Sequence, residues 1–156
     1  MILRTAVIFV MLAGSAGAQA CREDAVQLRG DWGEARFTVE IADDRSERAR
    51  GLIHRESMPA SAGMLFIYPQ PQSLSFWMRN TLIPLDLLFI DPGGVVQHIH
   101  HRAIPLDETP IPGGSGLTHV LEINGGMSER LGIAPGTVLR HPAFEAQTPA
   151  WPCVAQ

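Results

Sequence analysis

The chain has no lysine: all 12 of its basic residues are arginine, a uniformity consistent with a genomic codon bias. Acidic residues outnumber them, 16 to 12, for a formal net charge of −4. The basic stripe that a nucleic-acid-binding surface needs is therefore missing. Long hydrophobic runs are missing too. The main apolar stretch, residues 6–13, is far shorter than the roughly 20 residues a membrane-spanning helix requires. There is no G-x-S-x-G around a nucleophilic serine, and no glycine-rich loop follows a strand and opens a helix to hold phosphate. Cysteine is limited to 2 residues, Cys21 and Cys153, neither at zinc-site spacing.

The short apolar stretch has its own meaning. Arg4 precedes it, and small residues lead from it to Ala18-Gln19-Ala20, the small-x-small pattern of signal-peptidase cleavage. Residues 1–20 are expected to be a signal peptide and residues 21–156 a single domain of ordinary size, periplasmic or secreted. Loss of Arg4 would take the formal charge from −4 to −5. In an exported chain an even cysteine count reads as a disulfide, here joining Cys21 to Cys153. The alternative is a lipoprotein anchored through Cys21, which the absence of Leu at position 18 and the presence of Gln19 disfavour.

Within the expected mature chain, Phe37, Val39 and Ile41 alternate with Arg36, Thr38 and Glu40, the period of a half-buried strand. Asp44 followed by Glu47 then forms a capping-box start for a short helix ending near Gly51. Further strands are expected at 64–68, 74–78, 85–90, 95–100, 117–124 and 137–141, with a second short helix at 127–131. Residues 69–72, Pro-Gln-Pro-Gln, read as a connection outside any sheet interior. Residues 104–116, rich in proline and glycine, read as a long surface loop and a possible lid. The sum is a mostly β, β-rich α+β class: one compact antiparallel sandwich or barrel-like domain with one or two short helices.

The segment FWMRNTLIPLDLLFID, residues 76–91, holds the first candidate site. Asp86 sits among apolar neighbours, and an unpaired buried carboxylate is costly, so it needs hydrogen bonds, a cation or solvent. Arg79 and the Asn80 and Thr81 amides are close enough in sequence to partner it across a hairpin. Two readings follow: Asp86 braces the turn of residues 80–84, or Trp77, Asn80 and Asp86 line a ligand pocket. Glu122 stands on an analogous strand face, so Asp86 and Glu122 together could act as acid and base on an envelope polymer. His98 and His100 share a strand face and could hold a metal with His119 or His141, although solvated, incidental histidines are the favoured reading.

These residues resemble the domain of unknown function 192 family over about 37–142. The resemblance is carried by VEIADDRSERARGLIHRESMP, GMLFIYP, FWMRNTLIPLDLLFID, VLEINGG and LGIAPGTVLRHP, in that order. It implies a compact, mostly β domain, often exported, and no established activity. Arg48, Gly51, Phe66, Trp77, Thr81, Asp86, Glu122 and Gly132 are among the residues matching the family pattern. The leading functional expectation is a non-enzymatic module binding a small molecule, glycan or envelope protein partner, without cofactor or nucleic acid. Its candidate ligand residues are Trp77, Arg79, Asn80, Thr81, Asp86 and Glu122.

Overall fold

The computed structural model describes residues 20–153. Seven strands make one sheet: β1 (Ala25–Gly30), β2 (Gly33–Ala42), β3 (Ala62–Phe76), β4 (Leu85–Ile90), β5 (Val96–Ala103), β6 (Ile111–Asn124) and β7 (Val138–Arg140). Their order across the sheet is β5-β4-β6-β3-β2-β1-β7. Two short helices, α1 (Arg45–Arg50) and α2 (Met127–Leu131), complete the domain with a single 3₁₀ turn, Pro142–Phe144. The sheet curls until its edges approach one another, where Val95 bridges Val138 and the Leu139 amide donates to Gly94 O. A nearly closed sheet leaves little exposed edge for unwanted strand addition.

The alternating strands bury both of their faces. Inside the curl, Val26, Leu28, Phe37, Leu65, Leu88, Leu121 and Leu139 form one core. On the other face of the central strands, Met64, Phe66, Met78, Leu87, Phe89 and Val120 form a second. α1 and residues 74–83 fold over that second face. α1 begins as expected: Asp44 accepts from the Glu47 amide at 2.8 Å and the Glu47 carboxylate accepts from the Asp44 amide. The Arg55–Glu40 ion pair, bidentate, ties the following turn back to β2.

The structure corrects several expectations. β1 arises from the polar lead-in, where Ala25, Val26 and Leu28 are buried. β2 and β3 pair in parallel, so the sheet is not wholly antiparallel. Residues 64–68 and 74–76 belong to one strand, β3, and Pro69 and Pro71 sit in its exposed stretch where pairing to β6 slips between Ile67 and Gln72. Met78 lies beyond that strand.

β6 starts at Ile111, so only residues 104–110 remain as loop. One glycine there serves packing, since a Cβ on Gly113 would lie 2.0 Å from the Phe89 ring, while Gly114 and Gly116 supply backbone with φ of 107° and 69°. Residues 76–91 are not a hairpin either, because β6 lies between β3 and β4. The chain leaves one side of β6 and re-enters on the other.

Candidate functional site

Residues 77–82, which make this crossing, are held by backbone bonds on two sides. The Met78 amide donates to Asp107 O, the Leu106 amide to Thr81 O and the His54 amide to Asn80 O. Asn80 takes a left-handed φ of 54°, a conformation that asparagine tolerates better than most side chains. Between this segment and the end of α1 opens a cleft of about 240 Å³. Arg48, Gly51, Phe66, Tyr68, Phe76, Glu122 and the buried Thr81 line it, and the exposed Arg50, Trp77 and Arg79 stand at its rim. Gly51 has φ of 48°, and a Cβ there would press on the Phe66 ring at 3.3 Å.

Glu122, from the centre of β6, is part of the cleft lining. The residue is 5 % exposed, and its carboxyl has no hydrogen bond or ion pair among the described residues. Burial pushes its pKa from the usual 4.5 up to about 8, so at neutral pH it is mostly the protonated acid. A neutral carboxyl offers one donor and spare acceptor capacity. The same desolvation raises the Tyr68 hydroxyl, with Arg48 acting against it and Glu122 adding to it.

This acid makes stability depend on pH. Folded Glu122 keeps its proton to about pH 8, whereas the unfolded chain releases it near 4.5. The folded state binds more protons between those values, so stability falls as pH rises through that window, by at most about 1.4 kcal/mol per unit. His119 acts in the opposite sense. Burial, reinforced by neighbouring His141, pushes it from 6.5 down to about 4, so stability is lost as pH falls from 6.5 towards 4. Glu122→Gln should abolish the loss above pH 6.5, measured by urea unfolding at several pH values. An unchanged slope would show that the Glu122 carboxyl is ionised and hydrated.

The other predicted residues separate. Asp86 is fully buried and bonded to four donors: Ser128 Oγ and the amides of Arg102, Gly126 and Ser128, each amide at 2.8 Å. Desolvation would raise its pKa, but these bonds outweigh it and hold the carboxyl below the usual range. Asp86 thus caps the start of α2, whose own N-cap, Gly126, has no side chain. It neither braces the turn of residues 80–84 nor meets Arg79, which pairs at 3.3 Å with Glu108. The run Gly125-Gly126-Met127-Ser128, a helix start without an acceptor of its own, is the sequence signal for this partner.

Asp86 also cannot work with Glu122. Asp86 pairs with Ile123 and Leu87 with Glu122 in the β4–β6 register, so the two acids point to opposite faces of the sheet. Asn80 is exposed on its turn and lies outside the cleft lining. Trp77, Arg79, Thr81 and Glu122 do come together.

The histidines divide likewise. His98 and His100 pair with Phe89 and Leu87 on the second-core face, whereas His119 pairs with Ile90 on the inner face. His119 packs on Phe144 at 4.4 Å, and His141 Nε2 donates to Glu23 O while its Nδ1 accepts from the Ala143 amide. Among the described residues no group of three or more His, Cys, Asp or Glu side chains has metal-binding geometry.

A family model, DUF192, described as an uncharacterised ACR, matches residues 26–141. The chain belongs to the DUF192 family. Crystal structures resemble it, two of them from known bacteria. One is a protein of unknown function from Novosphingobium aromaticivorans, 42% identical, with a TM-score of 0.72 over 74% of this chain and 82% of its own. Another is a proposed transcription regulator from Sinorhizobium meliloti, 38% identical, with a TM-score of 0.73 over 77% of this chain and 94% of its own. No curated protein matches the chain. Within this DUF192 domain, Arg48, Gly51, Phe66, Trp77, Thr81 and Glu122, all carriers of the family resemblance, line one cleft. Arg50, Tyr68 and Phe76 join them without having stood out in the sequence, since an exposed basic residue and aromatics in a strand give no signal of a shared wall.

The disulfide Cys21–Cys153 is formed, with the Cα atoms 5.3 Å apart. It is consistent with an extracytoplasmic location. A Cys21 sulfur engaged in that bond is not available to carry a lipid. The predicted signal peptide lies almost wholly outside the described residues. No helix among the described residues is long and apolar enough to cross a membrane.

Proposed function

We propose that the chain is an exported, non-enzymatic binding module whose small-molecule ligand sits in the cleft over Glu122. The observation that carries this reading is a carboxyl at the floor of an open cleft, with no protein hydrogen bond among the described residues and reachable only from the cleft. A polar group that the protein leaves to the solvent of a largely apolar cleft is a place where a ligand can replace water in the bonding. The aromatic wall supplies contact area and the rim supplies orientation. The cleft lining contains no second carboxylate, no histidine and no thiol, so the general acid–base pairs and activated nucleophiles of hydrolases are not assembled there. The transcription-regulator description of the Sinorhizobium meliloti protein is not adopted for this chain. Its helices of six and five residues are too short to act as recognition helices, and its charge is unfavourable for DNA.

The test is a titration of the isotope-labelled, oxidised chain with a mixture of common sugars, amino acids and nucleotides, followed by amide chemical shifts. Shifts should concentrate at Gly51, Tyr68, Trp77 and Thr81. They should vanish in Trp77→Ala, which stays folded because Trp77 is 52% exposed. Compounds that move no cleft amide would overturn the proposal.

A further inference from the structure

We infer that the ligand of this cleft is an acidic saccharide, with its anionic group on the rim arginines, a ring hydroxyl on Glu122 and its C–H face on Phe76 and Trp77. This rests on the binding-module reading above and narrows it to one chemical class.

Charge comes first. Three arginines, Arg48, Arg50 and Arg79, line the cleft, and Glu122 is the sole acid among the lining residues. On a protein of net charge −4 that is a local reversal of sign, which draws in anions and repels cations.

Two of these guanidinium groups are held in place by aromatic rings. Arg48 lies over Tyr68 at 4.9 Å and Arg79 over Trp77 at 5.4 Å. Arg48 Nη1 donates to Asp43 O and, at 2.8 Å, to Ile67 O, which leaves Nη2 and Nε without acceptors among the described residues. The Arg79–Glu108 pair is exposed on both sides, and such pairs contribute little, so a ligand anion can compete for Arg79. Arginine's planar fork suits a carboxylate or a phosphate equally well.

Glu122 sets the second requirement. A simple inorganic anion would occupy the arginines and leave the Glu122 carboxyl to water, whereas a hydroxyl on the same ligand can both donate to it and accept from it. The aromatic wall sets the third. Trp77 is half exposed beside the partly buried Phe76, aromatic surface that the C–H face of a pyranose can cover. An acidic sugar satisfies all three requirements in one rigid ring.

The experiment uses one hexose scaffold with different charges: glucuronate, glucose 6-phosphate, glucose and glucosamine, each titrated into the labelled chain with the cleft amides as readout. At least one of the two anions should bind about tenfold or more tightly than glucose, the value of one charge-assisted hydrogen bond. Which anion binds better identifies the carboxylate or the phosphate as the source. Affinity should fall as salt rises, and Arg50→Gln should weaken it several-fold. Glu122→Gln, which retains a donor and an acceptor, should leave it within a few-fold.

Glucosamine or glucose binding as tightly as both anions would overturn the inference. So would a tenfold loss in Glu122→Gln, which would mean an ionised carboxylate on a cationic ligand. If amino acids or nucleotides move the cleft amides and no hexose does, the saccharide assignment fails while the binding-module reading stands.

Discussion

Asp86→Ala should lower the unfolding free energy by about 4 kcal/mol or more, since three amides and a hydroxyl lose their acceptor in a dry site. In a domain of this size that is a fall in Tm of about 10 °C or more. The effect is large because the carboxylate joins parts of the chain far apart in sequence: the end of β5 at Arg102 and the start of α2 at Gly126 and Ser128. Arg102 and Gly126 both take left-handed backbone, φ of 50° and 83°, a shape that has to be held from outside.

Asp86→Asn should cost less, because its remaining oxygen still accepts while its amide group opposes one of the donors. The wild-type carboxyl, held below its usual pKa, contributes stability above the unfolded value near 3.8 that is lost as pH falls through its folded value. Midpoints from thermal and urea unfolding check all three. An Asp86→Ala melting within about 2 °C of the parent would mean that water replaces the carboxylate.

Reduction of Cys21–Cys153 should have a comparable effect. The bond closes a loop with a sequence separation of 132. The chain-entropy treatment then gives a stabilisation of about 5 kcal/mol, exerted on the unfolded ensemble. The C-terminal segment also has non-covalent anchors: Trp151 lies under the guanidinium groups of Arg29 at 4.1 Å and Arg140 at 5.0 Å, and the Cys153 amide donates to Glu145 at 2.9 Å. The reduced protein, or Cys153→Ser, should therefore keep its fold and its near-ultraviolet signature while its denaturation midpoint drops. An unchanged midpoint would show that the unfolded chain gains no freedom from breaking the bond.

Several features were legible in the sequence because they are local. The alternation of Phe37, Val39 and Ile41 and the Asp44–Glu47 cap each depend on residues within one element, and the two cysteines had only each other. The mostly β class followed from the same signals. What was not legible depends on register and strand order. Glu122 lines a cleft, but its supposed partner, Asp86, lies on the opposite face, and only the pairing of Leu87 with Glu122 reveals that. The parallel pairing of β2 with β3 and the insertion of β6 between β3 and β4 carry no mark in any single segment. They decide, even so, that Trp77 meets Glu122 and that Asp86 meets Ser128. Residues 111–116 read as loop because glycine permits both a flexible loop and close packing, and at Gly113 the Phe89 ring selects the second.

With Cys21 and Cys153 joined, residues 21–153 are topologically a ring. Tension applied at the two cysteines passes through one sulfur–sulfur bond and never peels β1 or β7 from the sheet. A ring has no preferred starting point. The exposed stretch of residues 69–71, which has no partner in β6, is where the ring can be cut and its old ends fused without breaking a strand pair.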